Sequence, residues 1–380
     1  MNHKASTDNW KIPLYKVHVS SSDIKSVRNV IKRGTDWALG KEIIDLEKKL
    51  SEYVDCKYCL AFNSGTSAGH ALMIAMNLKK YEVIVPSFSF IATANWPLMV
   101  GAIPKFADIE EETLGLDPNK IQQKINKKTK LIMPIHYAGL PCKIQEIKKI
   151  ARDNKIPLIE DAAESIGSSV DNKKIGSFGD ASVFSFAGNK VLTSGEGGAI
   201  VTNSKKLYEK LKLIRSHGRK ITGNYFSSNK IPNYIELGYN WRMSSITAAL
   251  ALSQLKNINY LLNKRRNNSK YLISKLKRSK DLKFHVAPKN YIHSYQLFSI
   301  ILKDKKTRNG LMNFLTSKRI MSKIFFSPIH NSSFFKQTLP KQNLPVTEKI
   351  SDTILSLPMY PDLTHSEMNF IAESITEFLE

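Results

Sequence analysis

Lys190 stands in the run Phe184-Ser185-Phe186-Ala187-Gly188-Asn189-Lys190, shortly before Thr193-Ser194-Gly195-Glu196-Gly197-Gly198. Upstream, Asp161 closes an apolar stretch, Pro157-Leu158-Ile159-Glu160-Asp161-Ala162-Ala163. An amine in a glycine-rich loop and a carboxylate at the end of an apolar strand are what an enzyme needs to hold and polarise pyridoxal phosphate. The amine forms a Schiff base with the cofactor aldehyde. The carboxylate keeps the pyridine nitrogen protonated, so that the ring accepts electrons from a substrate carbon. A free lysine amine titrates near pH ~10.4 and is mostly a non-nucleophilic ammonium. Desolvation or a neighbouring positive charge lowers that value, and Schiff-base formation removes the ammonium altogether. Lysine is common in this chain, so a solvated surface Lys is the competing reading of position 190. The apolar strand before it and the glycines after it argue for a ligand instead. Asp161 competes as a helix cap for Ala162-Ala163-Glu164, but a cap does not require an apolar strand aimed at it.

Four further residues gather around this pair by position. Asn63-Ser64-Gly65-Thr66-Ser67-Ala68 ends a β-rich run and opens a helical one. The N–H groups and hydroxyls of Thr66 and Ser67 are expected to take a phosphate at the positive end of that helix, with a simple capped helix start as the plainer alternative. Phe90, just after the Val83 strand, is an aromatic able to lie flat on a pyridine ring or to serve as a core residue. Glu164 lies about one helical turn beyond Asp161, where it can reach the cofactor's ring oxygen or face solvent.

Short β-rich runs alternate with helical patterns through the middle of the chain. Strands are expected at 58–62, 83–86, 102–106, 131–135 and 158–160, with a strand pair at 182–186 and 198–202 flanking the Lys190 loop. Helices are expected at 68–78, 90–99 and 144–152. This alternation predicts an α/β fold with a mostly parallel central sheet flanked by helices. Ligands bind such sheets at the carboxyl ends of the strands, where Gly65, Phe90, His136 and Asp161 all fall. A long helical pattern over 244–277 leads to a smaller C-terminal α+β domain, with strands expected at 295–302 and 323–326 and an amphipathic helix at 366–378. The domains are read as 1–250, cofactor-binding and including an N-terminal helix at 22–33, and 251–380.

Composition bounds the rest. The chain has 380 residues, 42% of them hydrophobic and 24% charged, as in ordinary globular proteins. Met1 to Asp8 is polar and carries no apolar segment of a secretory signal. The most apolar stretch, 83–106, is broken by Pro86, Pro97 and Pro104, so no membrane span is expected and the cytoplasm is the expected location. Cys56, Cys59 and Cys142 are too few for a disulfide framework, and Cys56-Lys57-Tyr58-Cys59 lacks the second ligand pair of a zinc site; no metal is expected. The net charge of +24 comes from lysines spread along the chain rather than concentrated in one segment. That distribution disfavours a nucleic-acid partner, while a positive field favours an anionic cofactor and substrate.

Taken in order, these segments resemble the DegT/DnrJ/EryC1/StrS family of sugar aminotransferases, nearly from end to end. The signposts are Gly40-Lys41-Glu42, Ser64-Gly65-Thr66, Val85-Pro86-Ser87-Phe88-Ser89-Phe90, Pro134-Ile135-His136 and Glu160-Asp161-Ala162-Ala163-Glu164. Then follow Phe184-Ser185-Phe186 with Lys190, His217-Gly218, Leu237 to Met243, and Leu355 to Pro361. The resemblance implies a fold type I aminotransferase acting as a homodimer with shared active sites. It implies Lys190 as the Schiff-base lysine and Asp161 opposite the pyridine nitrogen. Thr66, Ser67 and Ser185 would hold the phosphate, Asn240 would reach the phosphate of the other subunit's cofactor, Phe90 would stack on the ring, and His330 would border the substrate.

Two positions depart from common family usage: Glu164 is frequently Gln, and Ala187 replaces a His or an aromatic found in some members. The Lys190 segment most resembles the perosamine-synthase-like branch. It implies transfer of an amino group from glutamate to a nucleotide-diphosphate-linked keto sugar, a 4-keto-6-deoxy sugar, in amino-sugar and polysaccharide biosynthesis. Two rivals stay open. A dehydratase branch carries His in place of the Schiff-base Lys, which Lys190 disfavours, and a catalytically silent binding or regulatory protein can share the fold.

Overall fold

The computed structural model describes residues 10–220, 229, 231–277, 279 and 281–380. The polar stretch Met1 to Asp8 lies outside them. A three-stranded and a four-stranded sheet, joined by parallel bridges between Ile132 and Leu158 and between Ile135 and Asp161, form one seven-stranded layer. From edge to edge its strands are Ile103–Ala107, Glu82–Pro86, Thr129–Ile132, Ile159–Asp161, Ala181–Ser185, Gly198–Thr202 and Tyr58–Phe62. Gly198–Thr202 runs antiparallel to both its neighbours, and the others are mutually parallel, as the sequence pattern predicts.

Side chains alternate across the layer because successive residues of a strand face opposite ways. Leu60 and Phe62 join Val83, Val85, Val183 and Ile200 in one core, and Cys59 and Ala61 join Ile84, Phe184 and Val201 in the other. Helices Gly65–Met76, Ala92–Met99 and Lys205–Arg215 cover the first face; Lys41–Val54, Ile144–Asp153 and Ser245–Lys256 cover the second. Burial on both faces explains the continuous apolar runs of these strands. Each fully buried Leu, Ile or Phe is worth about 1.5–3 kcal/mol over its exposed state, so the layer is a stiff frame.

The strand expected at 131–135 stops at Ile132. Pro134 has no N–H to give the ladder, although its carbonyl still accepts the Asp161 N–H at 2.9 Å. The helical stretch at 244–277 breaks at Asn257, into Ser245–Lys256 and Ile258–Leu276. The helix Ser21–Arg33, started by a Ser20/Asp23 capping box, packs on Ser245–Lys256 rather than on the sheet. A further core surrounds the antiparallel strands Lys283–Phe284, Phe298–Ile301 and Ile354–Leu357, with Leu272, Leu311 and Ile371 from three helices and Ile12 from the N-terminal segment. The strand expected at 323–326 reduces to a bridge between Lys323 and Ser356, and 324–326 leaves the sheet. Among the described residues no helix is long and apolar enough to cross a membrane.

Candidate active site

The carboxyl ends of the parallel strands open into a cavity of about 570 Å³, lined by Thr66, Phe90, Asp161, Glu164, Ser185 and Lys190 among others. Its size is that of a small-molecule site. Asp161 ends the Ile159–Asp161 strand and is 7% exposed. Its Oδ2 accepts the Thr93 hydroxyl at 2.7 Å and its Oδ1 accepts the Ala163 N–H at 3.2 Å. The Thr93 hydroxyl is itself held by Ser89 at 2.6 Å. Burial pushes the Asp161 carboxyl above its usual range; these two donors and the Lys190 charge oppose the shift, and Glu164 adds to it.

Lys190 sits in a turn closed by its own N–H donating to the Ala187 carbonyl at 3.0 Å. Its ammonium lies 3.3 Å from Glu164 Oε1, and the other oxygen of Glu164 accepts the Ala138 N–H at 2.9 Å. The structure thus places Glu164 against the lysine, on the cavity wall.

Ser64 caps the Gly65–Met76 helix, accepting the Ser67 N–H at 3.0 Å. The Gly65 and Thr66 N–H groups belong to a first helical turn that has no intrahelical acceptors for them. Ser185 lies beneath: a Cβ on Gly65 would come 3.1 Å from that of Ser185, and a Cβ on Gly198 would come 2.5 Å from the Gly65 nitrogen. Two glycines therefore let a helix start, a hydroxyl and a strand end close around one point. Ser67 turns away from it. Its hydroxyl donates to Asn63 Oδ1 at 2.5 Å and is absent from the cavity wall, so among the described residues the wall carries Thr66 and Ser185 in place of the expected trio.

Phe90 reaches the cavity with 59% of its surface exposed, which leaves a ring face free. Asn240 is exposed at a bridge to Ser216 and does not line this cavity. His330 does not border it either. The imidazole is a buried clasp, with Nδ1 accepting the Ser87 hydroxyl at 2.7 Å and Nε2 donating to Glu348 at 3.1 Å. Its sequence position beside Pro328 gave no indication of which way the ring turns.

Several wall residues escaped the sequence reading. Thr93, which supports Asp161, and Trp96 lie on the helix after Phe90. A Cβ on Gly69 would come 2.0 Å from the Trp96 ring, so glycine lets the Gly65–Met76 and Ala92–Met99 helices close up beside the site. Tyr15, Gln296, Lys323, Phe325 and Phe326 come from distant segments. The available signal was weak: a Thr and a Trp at i and i+3 on one helix, and polar residues inside apolar strand patterns.

These groups suit pyridoxal phosphate. Asp161 is a desolvated carboxylate facing a cavity with only neutral donors at hydrogen-bond distance, and a cationic N–H would restore its charge. The cradle of Gly65, Thr66 and Ser185 suits a dianion at a helix N-terminus. Lys190 supplies the amine.

Comparison with known proteins agrees. Residues 18–376 match the model of the DegT/DnrJ/EryC1/StrS aminotransferase family. The chain is 33% identical over 370 residues to the GDP-perosamine synthase of Vibrio cholerae, covering 97% of this chain and 99% of that one. It is 32% identical over 368 residues to the GDP-perosamine synthase of Escherichia coli O157:H7, covering 97% and 98%. The structure superposes with a TM-score of 0.90, at 30% identity and 97% and 99% coverage, on Helicobacter pylori PseC, an aminotransferase involved in the biosynthesis of pseudoaminic acid. The fold is that of the type I aminotransferases. The chain belongs to the DegT/DnrJ/EryC1/StrS aminotransferase family and is a pyridoxal phosphate-dependent sugar aminotransferase.

Proposed function

We propose that this enzyme moves an amino group from glutamate to a nucleoside-diphosphate-linked keto sugar, with the keto group at C4 of a 6-deoxy hexose. The observation that carries the reading is the meeting of Lys190, Asp161 and the Gly65–Ser185 cradle in one cavity of about 570 Å³. The two relatives named GDP-perosamine synthase support a nucleotide-linked amino sugar as product. The net charge of +24 favours capture of a diphosphate.

When bound, pyridoxal phosphate supplies an electron-accepting ring. In this reading the chain's own residues do the following. Thr66, Ser185 and the first turn of the Gly65–Met76 helix hold the phosphate. Asp161 holds a proton on the pyridine nitrogen, and Thr93 aims its carboxylate. Phe90, on the cavity wall, would cover one face of the ring and keep water from it. Glu164 orients Lys190 and would be available to a polar group of the bound cofactor. Lys190 anchors the cofactor, then acts as general base on the proton of the donor's amino-bearing carbon and as general acid in the return direction. Asn240 serves a second copy of the chain, so the active unit is a homodimer.

The test is an assay of the reconstituted enzyme with glutamate and a GDP-linked 4-keto-6-deoxy sugar. Aminated sugar nucleotide and 2-oxoglutarate are expected in equal amounts, with none from Lys190→Ala. Exchange between free amino acids and keto acids, without amination of any sugar nucleotide, would overturn the substrate assignment. Turnover by Lys190→Ala at the wild-type rate would overturn the role of the lysine.

A further inference from the structure

The two peptide groups that flank the Lys190 Cα are held by one side chain. Gln296 Nε2 donates to the Asn189 carbonyl at 2.6 Å, and Gln296 Oε1 accepts the Val191 N–H at 2.7 Å. The Asn189 carbonyl belongs to the peptide that enters Lys190, and the Val191 N–H belongs to the peptide that leaves it. Peptide groups are planar, so pinning both planes pins the two backbone torsions of Lys190. Those torsions decide the direction in which its side chain departs.

Gln296 is well placed for this. It is 3% exposed and forms part of the cavity wall, just ahead of the Phe298–Ile301 strand. Its own backbone is anchored: the buried Arg265 guanidinium donates to the Tyr295 carbonyl at 3.2 Å and to the Met359 carbonyl at 2.9 Å. A chain of contacts thus runs from the C-terminal sheet through one amide to the lysine.

We propose that Gln296 is a positioning residue for Lys190, its carboxamide setting the path along which the amine enters the cavity. The inference rests on Lys190 being the cofactor-binding amine. A carboxamide is required because it presents a donor and an acceptor side by side. Leucine is of similar bulk but leaves the buried Val191 N–H and the part-buried Asn189 carbonyl without this partner. Ionised glutamate keeps the acceptor for Val191 and turns a second acceptor on the Asn189 carbonyl. Protonated glutamate presents an O–H and a carbonyl, and so restores the pattern.

The experiment follows the reaction of cofactor-free protein with pyridoxal phosphate by absorbance. In that step the lysine amine adds to the aldehyde and one water leaves. Kinetics of the loaded enzyme provide the second readout. Gln296→Leu is expected to slow the condensation and lower kcat, each about 10- to 100-fold, while KM for donor and sugar stays near the wild-type value. Gln296→Glu is expected to be slow at neutral pH and to regain rate relative to wild type as pH falls. If Gln296→Leu fails to fold, the pH profile of Gln296→Glu decides alone. Folded variants that condense and turn over at wild-type rates would overturn the inference, as would a Gln296→Glu profile parallel to that of wild type. Borohydride reduction of the wild-type protein followed by peptide mass mapping separates the two levels. A pyridoxyl group on a residue other than Lys190 would remove the assignment of the lysine itself, whatever the Gln296 variants do.

Discussion

At Asp161, burial and function pull in opposite directions. Its carboxyl is raised by desolvation, and the Thr93 hydroxyl and Ala163 N–H offset only part of that cost. A carboxyl with a raised folded-state pKa favours folding below its ordinary pKa, near ~3.9, and that contribution is lost as pH rises through the raised value. At neutral pH the ionised group therefore burdens the cofactor-free protein, and a pyridinium N–H relieves it. Asp161→Asn should accordingly raise the melting temperature of cofactor-free protein at pH 7, relative to wild type, and the gain should shrink toward pH 4. The same substitution should lower kcat about 10²- to 10³-fold, because an amide does not hold a proton on the pyridine nitrogen. Thermal unfolding at the two pH values and steady-state kinetics check both halves. A variant that melts lower at pH 7 and turns over normally would make the carboxylate a structural group.

The strand Ile159–Asp161 separates two acids by simple alternation. Asp161 faces the cavity and Glu160 faces the other way, into a ring of donors: the N–H groups of Gly176, Phe178 and Gly179, the Ser182 hydroxyl and His136 Nε2. His136 and these backbone donors hold the Glu160 carboxyl below its usual range against complete burial. Glu160→Gln would turn an amide NH₂ toward groups that themselves donate, and should cost about 3 kcal/mol in denaturant unfolding. A loss well under 1 kcal/mol would mean that the ring is not a single charge-dependent unit. The sheet was readable because runs such as Val83-Ile84-Val85 are apolar on both faces and because Ser64, Gly65 and the Gly195–Gly198 run mark where strands end. The hairpin Ser169–Val170 and Lys173–Lys174 was not, since its turn is made by Asp171 and Asn172 at φ 48° and 63°, without the glycine that usually announces such a turn. Site residues within the motifs were legible as positions: Lys190, Asp161, Thr66, Ser185 and Phe90 all reach the cavity. Side-chain direction was not legible, which is why Ser67 and His330 turn elsewhere. Partners such as Gln296, far from Lys190 in sequence, leave no local trace.

Across the whole molecule, acid also acts through the net charge and through a buried histidine pair, and salt separates these two. The chain carries 57 Lys and Arg against 33 Asp and Glu, so protonating carboxylates deepens an existing self-repulsion. Salt screens charges at the surface over about 8 Å at physiological strength and higher salt screens them further, whereas buried groups are screened much less. The second route runs through a histidine pair that ties the segment leading into Phe298–Ile301 to loops of the main sheet. His285 donates to the Thr113 carbonyl at 3.1 Å and lies edge-on to His293, 5.8 Å away, with Tyr137 at 5.5 Å. His293 accepts the Tyr295 N–H at 2.8 Å. Burial pushes His285 down to about 4, and His293 is lowered as well, by burial and then by its neighbour. The unfolded chain therefore binds these protons more tightly than the folded one. The resulting stability is present above pH ~6.5 and is lost as pH falls toward 4, by about 3 kcal/mol for His285 alone. His285→Gln keeps a donor for the Thr113 carbonyl and cannot take up the proton. The melting temperature of wild type should fall steeply between pH 6.5 and 4.5 even in high salt, and that of His285→Gln should fall less over the same range. Parallel curves for the two proteins in high salt would remove His285 from the acid response and leave that response to other buried groups, such as Glu160.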